Sequence, residues 1–152
     1  MIKKILLLSL VAIAIAMAVF WFNREQWLSE FNQERQQQSA LFDLQGTQFA
    51  ASGNGGNNAD QQQCVEESFK QMKGCFEFSC TLNQAIFLKS CLATAQKSER
   101  FCDGVPEYKE KLSTDDKQWL KDSCWNENIN GEGCRFLYKR KIHYCSGATI
   151  NQ

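Results

Sequence analysis

All eight cysteines of this 152-residue chain fall between Cys64 and Cys145, and five of the seven intervals between neighbours are eleven residues or twice eleven. Eleven residues make three turns of α-helix with about 20° left over, so cysteines at that interval share one helix face, about 16 Å apart. The array therefore predicts helices stapled to one another by disulfides. Cysteine at this density in a short region belongs to an oxidising compartment. An even count leaves no obligatory free thiol. Four disulfides, each contributing about 2 to 4 kcal/mol, rival the whole net stability of a small domain.

The first half of the array sets its own register. Asp60 with Gln63 makes a capping pair for a helix carrying Cys64, Val65, Phe69, Met72 and Cys75, with Gly74 near its stop. Thr81 with Gln84 makes a second capping pair, opening a helix whose inner face holds Ala85, Leu88, Cys91, Leu92 and Ala95. Only four residues separate Cys75 from Cys80, so the two helices run antiparallel. Matched elevens then set Cys75 opposite Cys80 and Cys64 opposite Cys91. In this nested pairing the hairpin resembles the coiled-coil-helix-coiled-coil-helix proteins of the mitochondrial intermembrane space. The resemblance covers Cys64 to Cys91 only, with ten residues between paired positions where that family has nine and with a shorter connecting loop.

Farther along, a short turn of helix is expected at Ser98 to Cys102, stopped by Gly104 and Pro106, and another from Pro106 over PEYKEKL. Ser113 with Asp116 caps a helix through Trp119, Leu120 and Cys124. A turn at Glu127 to Gly133 leads to a last helix with Cys134, Leu137, Tyr138, Lys141, Ile142 and Cys145, ended by Gly147. Strand signals are nearly absent, so the expected fold is all-α, with four or five short helices over residues 64–147 and a tail at 148–152. Spacing suggests Cys124 with Cys134 and Cys102 with Cys145. A Cys102 to Cys124 bridge fits nearly as well.

Ahead of the cysteines, residues 5–22 are eighteen residues whose only polar member is Ser9. As a helix they span about 27 Å, the thickness of a bilayer core. Ala14-Ile15-Ala16 and Ala16-Met17-Ala18 are small-x-small sites, but the apolar run continues through Val19, Phe20, Trp21 and Phe22 beyond them, which favours an uncleaved anchor. Lys3 and Lys4 place residues 1–4 in the cytoplasm and the cysteines outside. No Asn-x-Ser/Thr sequon occurs, so the expected location is a bacterial inner membrane, with the domain in the periplasm. Residues 23–45 read as a juxtamembrane helix with a sparse apolar stripe of Trp27, Leu28, Phe31, Leu41, Phe42 and Leu44, able to self-associate. Residues 46–63, with four glycines around a GNGGNN core, read as a flexible linker.

Candidate chemistry is sparse. No CxxC or mixed Cys/His cluster is present, so neither metal nor cofactor is expected. From Cys64 onward thirteen Lys and Arg stand against twelve Asp and Glu, a balance that gives no case for nucleic acid. Arg135, Lys139, Arg140 and Lys141 form a basic cluster on the last helix that could meet an acidic partner or anionic lipid. His143 reads as a surface imidazole favoured by the helix C-terminus. Cys75 and Cys80 are the closest pair and the only candidates for thiol exchange. Glu66, Cys75 and Thr81 share the spacing of the catalytic acid, second residue and threonine of phage-type muramidases, without that family's glycine-rich hairpin. Phe76, Phe78, Phe101, Trp119, Trp125, Phe136 and Tyr144 adjoin cysteines and serve as core over the disulfides or as a recognition patch. The expected function is binding, as an envelope accessory or inhibitor of another envelope protein. The alternative is an envelope enzyme using Glu66 or the Cys75 and Cys80 pair.

Overall fold

A computed structural model describes residues 2–53, 58–75 and 77–147, with side chains from Ser9 onward. The described elements are five helices: α1 (Ile2–Ser52), α2 (Gln61–Met72), α3 (Phe78–Thr94), α4 (Thr114–Asn126) and α5 (Glu132–Cys145). The all-α expectation holds, and four disulfides join the helices and loops. The chain forms two compact units, residues 1–38 and residues 39–152. Phe76 and the tail at 148–152 lie outside the described residues.

The first unit is helix, and every side chain described in it is exposed. Trp27 and Phe31, four apart, stack with ring centroids 5.8 Å apart. The Arg24 guanidinium lies over Trp21 and that of Arg35 over Phe31, as neighbours three and four apart on a helix must. Among the described residues no helix is long and apolar enough to cross a membrane, so the span expected at 5–22 is not supported. The side chains of residues 5–8, the start of that stretch, and of 1–4 before it lie outside those described.

The second unit is built on the α2–α3 hairpin. Asp60 caps α2: its carboxylate accepts from the Gln63 backbone N–H, and the Gln63 side chain accepts from the Asp60 N–H, the reciprocal pair its sequence calls for. Cys64–Cys91 joins the start of α2 to the end of α3 with Cα atoms 5.8 Å apart. Cys75–Cys80 closes the other end. Between the rungs, Val65, Phe69 and Met72 bury against Ala85, Leu88 and Leu92. Ser68, fully enclosed, is satisfied by donating to the Gln84 carbonyl across the hairpin at 3.2 Å. α3 begins at Phe78, not after Thr81 as the second capping pair suggested. The earlier start puts Cys80 on the helix beside Cys75, and Thr81 becomes a buried interior residue.

α5 lies across this hairpin, and α4 packs on α5. Leu137, Tyr138 and Ile142 meet the hairpin core and Leu120, with Tyr138 wedged between the rings of Phe69 (4.8 Å) and Trp119 (5.5 Å). Ser113 and Asp116 cap α4 reciprocally. Cys124–Cys134 bridges the turn between α4 and α5, and Cys102–Cys145 pins the long loop to the end of α5. The helical turns expected at 98–102 and 106–112 are instead turns, bends and irregular chain. Neither stretch is long enough to repay helix nucleation. Phe101, Val105 and Leu112 anchor the loop to the core.

The largest departure from expectation lies at residues 46–63. Residues 46–52 complete α1, and Ser39, Phe42, Gly46, Phe49 and Ala50 turn one helical face onto the domain. Leu41 and Leu44, counted in the apolar stripe, stay exposed. A β-carbon on Gly46 would overlap the Phe87 carbonyl and stand 2.6 Å from Ser90 Oγ, so glycine is what lets α1 touch α3. Beyond 54–57, which lie outside the described residues, the chain is sewn in. Ala59 N–H donates to the Ala50 carbonyl, Gln96 N–H to the Ala59 carbonyl, and Gln61 N–H to the Gln96 carbonyl. Ala59 is fully buried. Of the stretch read as free coil, residues 46–52 are helix and Ala59 to Gln63 are sewn into the fold.

Candidate functional site

All eight cysteines are bridged: Cys64 with Cys91, Cys75 with Cys80, Cys102 with Cys145, and Cys124 with Cys134. Among the described residues no group of His, Cys, Asp and Glu is placed to hold a metal ion. Of the muramidase-like trio, Glu66 is exposed and accepts from Gln62, Cys75 has its sulfur closed in a disulfide, and Thr81 is buried in α3.

The four basic residues expected to act together on α5 are parted. The Arg140 guanidinium lies 4.9 Å from the centre of the Phe136 ring, and Lys141 Nζ lies 4.2 Å from that of Phe101. Burial holds both below their ordinary basicity. Arg135 pairs with Glu132, one turn earlier. Lys139 is exposed and belongs to a different set.

That set is a groove between the 108–112 loop segment, α4 and α5. One hollow of about 380 Å³ is lined by Tyr108, Lys109, Lys111, Leu112, Lys117, Lys139 and His143 among others. A second, of about 250 Å³, shares Leu112, Lys117 and Lys139 with it and adds Leu120, Lys121, Glu132 and Arg135. The geometry follows from helix spacing. Lys117 and Lys121 are four apart on α4, and Arg135 and Lys139 are four apart on α5, so each pair lines one face. Lys109 is committed to Asp116, with Nζ 3.2 Å from the carboxylate. Hydrogen bonds from Ser113, first its hydroxyl and then its backbone N–H, hold the Asp116 carboxyl below its ordinary range, helped by Lys109 and opposed by burial. Lys111, Lys117, Lys121 and Lys139 have no ion-pair partner among the described residues.

His143 is not the surface imidazole expected from its place at a helix end. Its ring lies 3.9 Å from that of Tyr108, and its Nδ1 is buried with no hydrogen-bond partner among the described residues. Burial and the nearby Arg140 charge push its pKa down. The folded state therefore prefers neutral His143, and the unfolded chain binds the proton more readily. This contribution to stability is present above the unfolded pKa of about 6.5 and is lost as pH falls below it. Between pH 7.5 and pH 5.5 the melting temperature is expected to fall by on the order of 2 °C more in the wild type than in His143→Gln, as differential scanning would read. Parallel profiles would remove this account.

Beyond Lys121 and Arg135 the groove continues into a third hollow with Trp125, Ile129, Asn130 and Gly131. Ile129 and Asn130 in turn border a fourth with Phe78, Met72 and Glu77. Of the aromatics beside cysteines, Phe101 is buried, and Trp119, Phe136 and Tyr144 pack partly against the core. Trp125 and Phe78 stand out in water, 74% and 69% exposed. The chain matches no protein-family model, no curated protein and no solved structure.

Sequence reasoning missed the groove because it counted cations along one helix. The signal was the pair of four-residue spacings on two helices, which only the Cys124–Cys134 bridge and the α4–α5 packing bring face to face. It also missed Gln61. That buried side chain accepts from the Ser98 N–H at 3.0 Å and donates to the Tyr144 hydroxyl, tying the start of α2 to the loop and to the end of α5.

Proposed function

We propose that the protein is a non-catalytic binding module, an accessory or inhibitor of another envelope protein, working on the outer face of a bacterial inner membrane. The observation that carries the reading is the exposure of Trp125 and Phe78 on a disulfide-braced surface where the other described aromatics beside cysteines, Phe101, Trp119, Phe136 and Tyr144, are packed against the core. A large aromatic in water is unfavourable to the free protein and is the residue type that dominates binding hot spots. The disulfide Cys124–Cys134 holds the turn beside Trp125, so little freedom remains to be lost on binding. Attachment to a bilayer through residues 5–22 belongs to the proposal. Its support is the apolar sequence there and the exposure of every described side chain from Leu10 to Phe22.

The test is cross-linking of the full chain in its own cells, comparing wild type with Phe78→Ser/Trp125→Ser. Two hot-spot aromatics of about 2 kcal/mol each predict a loss of partner binding of roughly a thousandfold. Because both side chains are exposed, the melting temperature should hardly move. A partner retained in full by the double variant would overturn the reading. So would lysis of a cell-wall substrate by the wild type that is abolished by Glu66→Gln.

A further inference from the structure

We infer that the lysine-lined groove is a docking site for an extended acidic segment of a partner protein, one whose carboxylates follow the groove and whose apolar side chains rest on its floor. The inference rests on the binding-module reading and names the chemistry of the partner. Three features of the groove select this occupant.

The first is charge. Lys111, Lys117, Lys121 and Lys139 line two adjoining hollows without ion-pair partners among the described residues, and outnumber the carboxylates there, Glu110 and the Arg135-paired Glu132. The chain as a whole carries equal numbers of acidic and basic residues, so this local excess is a concentration of charge and not a property of the composition. Like charges held near one another repel, and an anion between them relieves the repulsion.

The second feature is the form of the cations. They are lysines, compact charges on long flexible stems, and the one arginine in the groove is tied to Glu132. The N-terminal turn of α4 beside the groove carries Asp115 and Asp116, which cancels the favourable dipole there. A phosphate cradle more often uses arginine forks or converging backbone N–H groups. Separated point charges suit separated carboxylates.

The third feature is the floor and its continuation. Among the lining side chains, Leu112 borders both hollows, with Ile142 in the first and Leu120 in the second. Lys121 and Arg135 also line the hollow that holds Trp125 and Ile129. An acidic strand with alternating apolar residues can lie along the groove, its side chains pointing alternately up and down. Its end reaches the exposed tryptophan.

The experiment uses the full chain in mild detergent and three fluorescent eight-residue peptides: alternating Glu and Leu, alternating Gln and Leu, and alternating Lys and Leu. Anisotropy titration should show binding of the first alone, weakening about tenfold or more between low salt and 0.3 M salt as the charges are screened. Lys117→Gln/Lys139→Gln should weaken it by about tenfold, two exposed pairs of up to about 1 kcal/mol each, with an unchanged melting temperature. Equal binding of the Gln peptide, or an unchanged affinity in the double variant, would overturn the proposal. So would displacement of the acidic peptide by phosphatidylglycerol vesicles, which would make the face a lipid contact. If any of these occurred while Phe78→Ser/Trp125→Ser still lost the cross-linked partner, the binding-module reading would stand and the groove alone would fall.

Discussion

Replacing Cys64 and Cys91 together by alanine is expected to destabilise the domain by about 3 to 4 kcal/mol and to lower its melting temperature by roughly 15 to 25 °C. The bridge spans 27 residues, and cutting it returns that loop's freedom to the unfolded chain. Both sulfurs are also fully enclosed in the hairpin core, so alanine leaves unfilled space between α2 and α3. The contrast is Cys75→Ala/Cys80→Ala, where the loop is shorter and the sulfurs less buried. That bridge spans only 5 residues at the rim of the hairpin, and its loss should cost about 2 kcal/mol. Urea unfolding of the three proteins without reductant would decide the matter. Equal losses in the two variants would mean that neither loop length nor burial of the sulfurs sets the size of the effect.

The second large effect is expected at Gly46. Leucine there should destabilise the second unit by on the order of 3 kcal/mol, even though leucine is a better helix former than glycine by nearly 1 kcal/mol. Its β-carbon would meet the Phe87 carbonyl, a backbone atom of α3 that cannot step aside without moving the helix. The two helices would have to separate. Phe49 would then leave the Phe87 ring, 5.8 Å away, and Ala50 would lose its burial. Gly46→Ala sharpens the sign. If helix propensity governed the site, alanine would stabilise; overlap with the carbonyl predicts that it destabilises. Gln45→Ala, one residue earlier on the exposed side, should be close to neutral. Chemical denaturation together with hydrogen exchange at residues 46–52 would read both outcomes. Exchange there as fast as in free coil in the wild type would show that these residues are a tether after all.

Much of the hairpin was legible in the residues. Two pairs of cysteines eleven apart, joined by four residues, leave only one way to fold back. The Asp60 and Gln63 box and the Ser113 and Asp116 box start helices because their side chains satisfy backbone donors that no helix can satisfy internally. The Thr81 and Gln84 box has the same chemistry and starts nothing. A longer helix that carries Cys80 within reach of Cys75 outweighs one cap.

The candidate site was not legible in the same way. Four basic residues on α5 look like one patch along the chain, yet aromatic rings on other elements take Lys141, and Phe136 on its own helix takes Arg140. The lysines that remain acquire their meaning from α4, which no local pattern joins to α5. The case of Gly46 is parallel: it heads a stretch whose glycines and asparagines farther on read as a linker, and the reason for a glycine lies about forty residues away on α3. Local order here is written in periodicity, capping chemistry and cysteine spacing, all of which act between residues a few turns apart. Which faces meet, which charges are left without partners and which aromatics stay in water depend on packing between distant elements, and only the assembled second unit decides them.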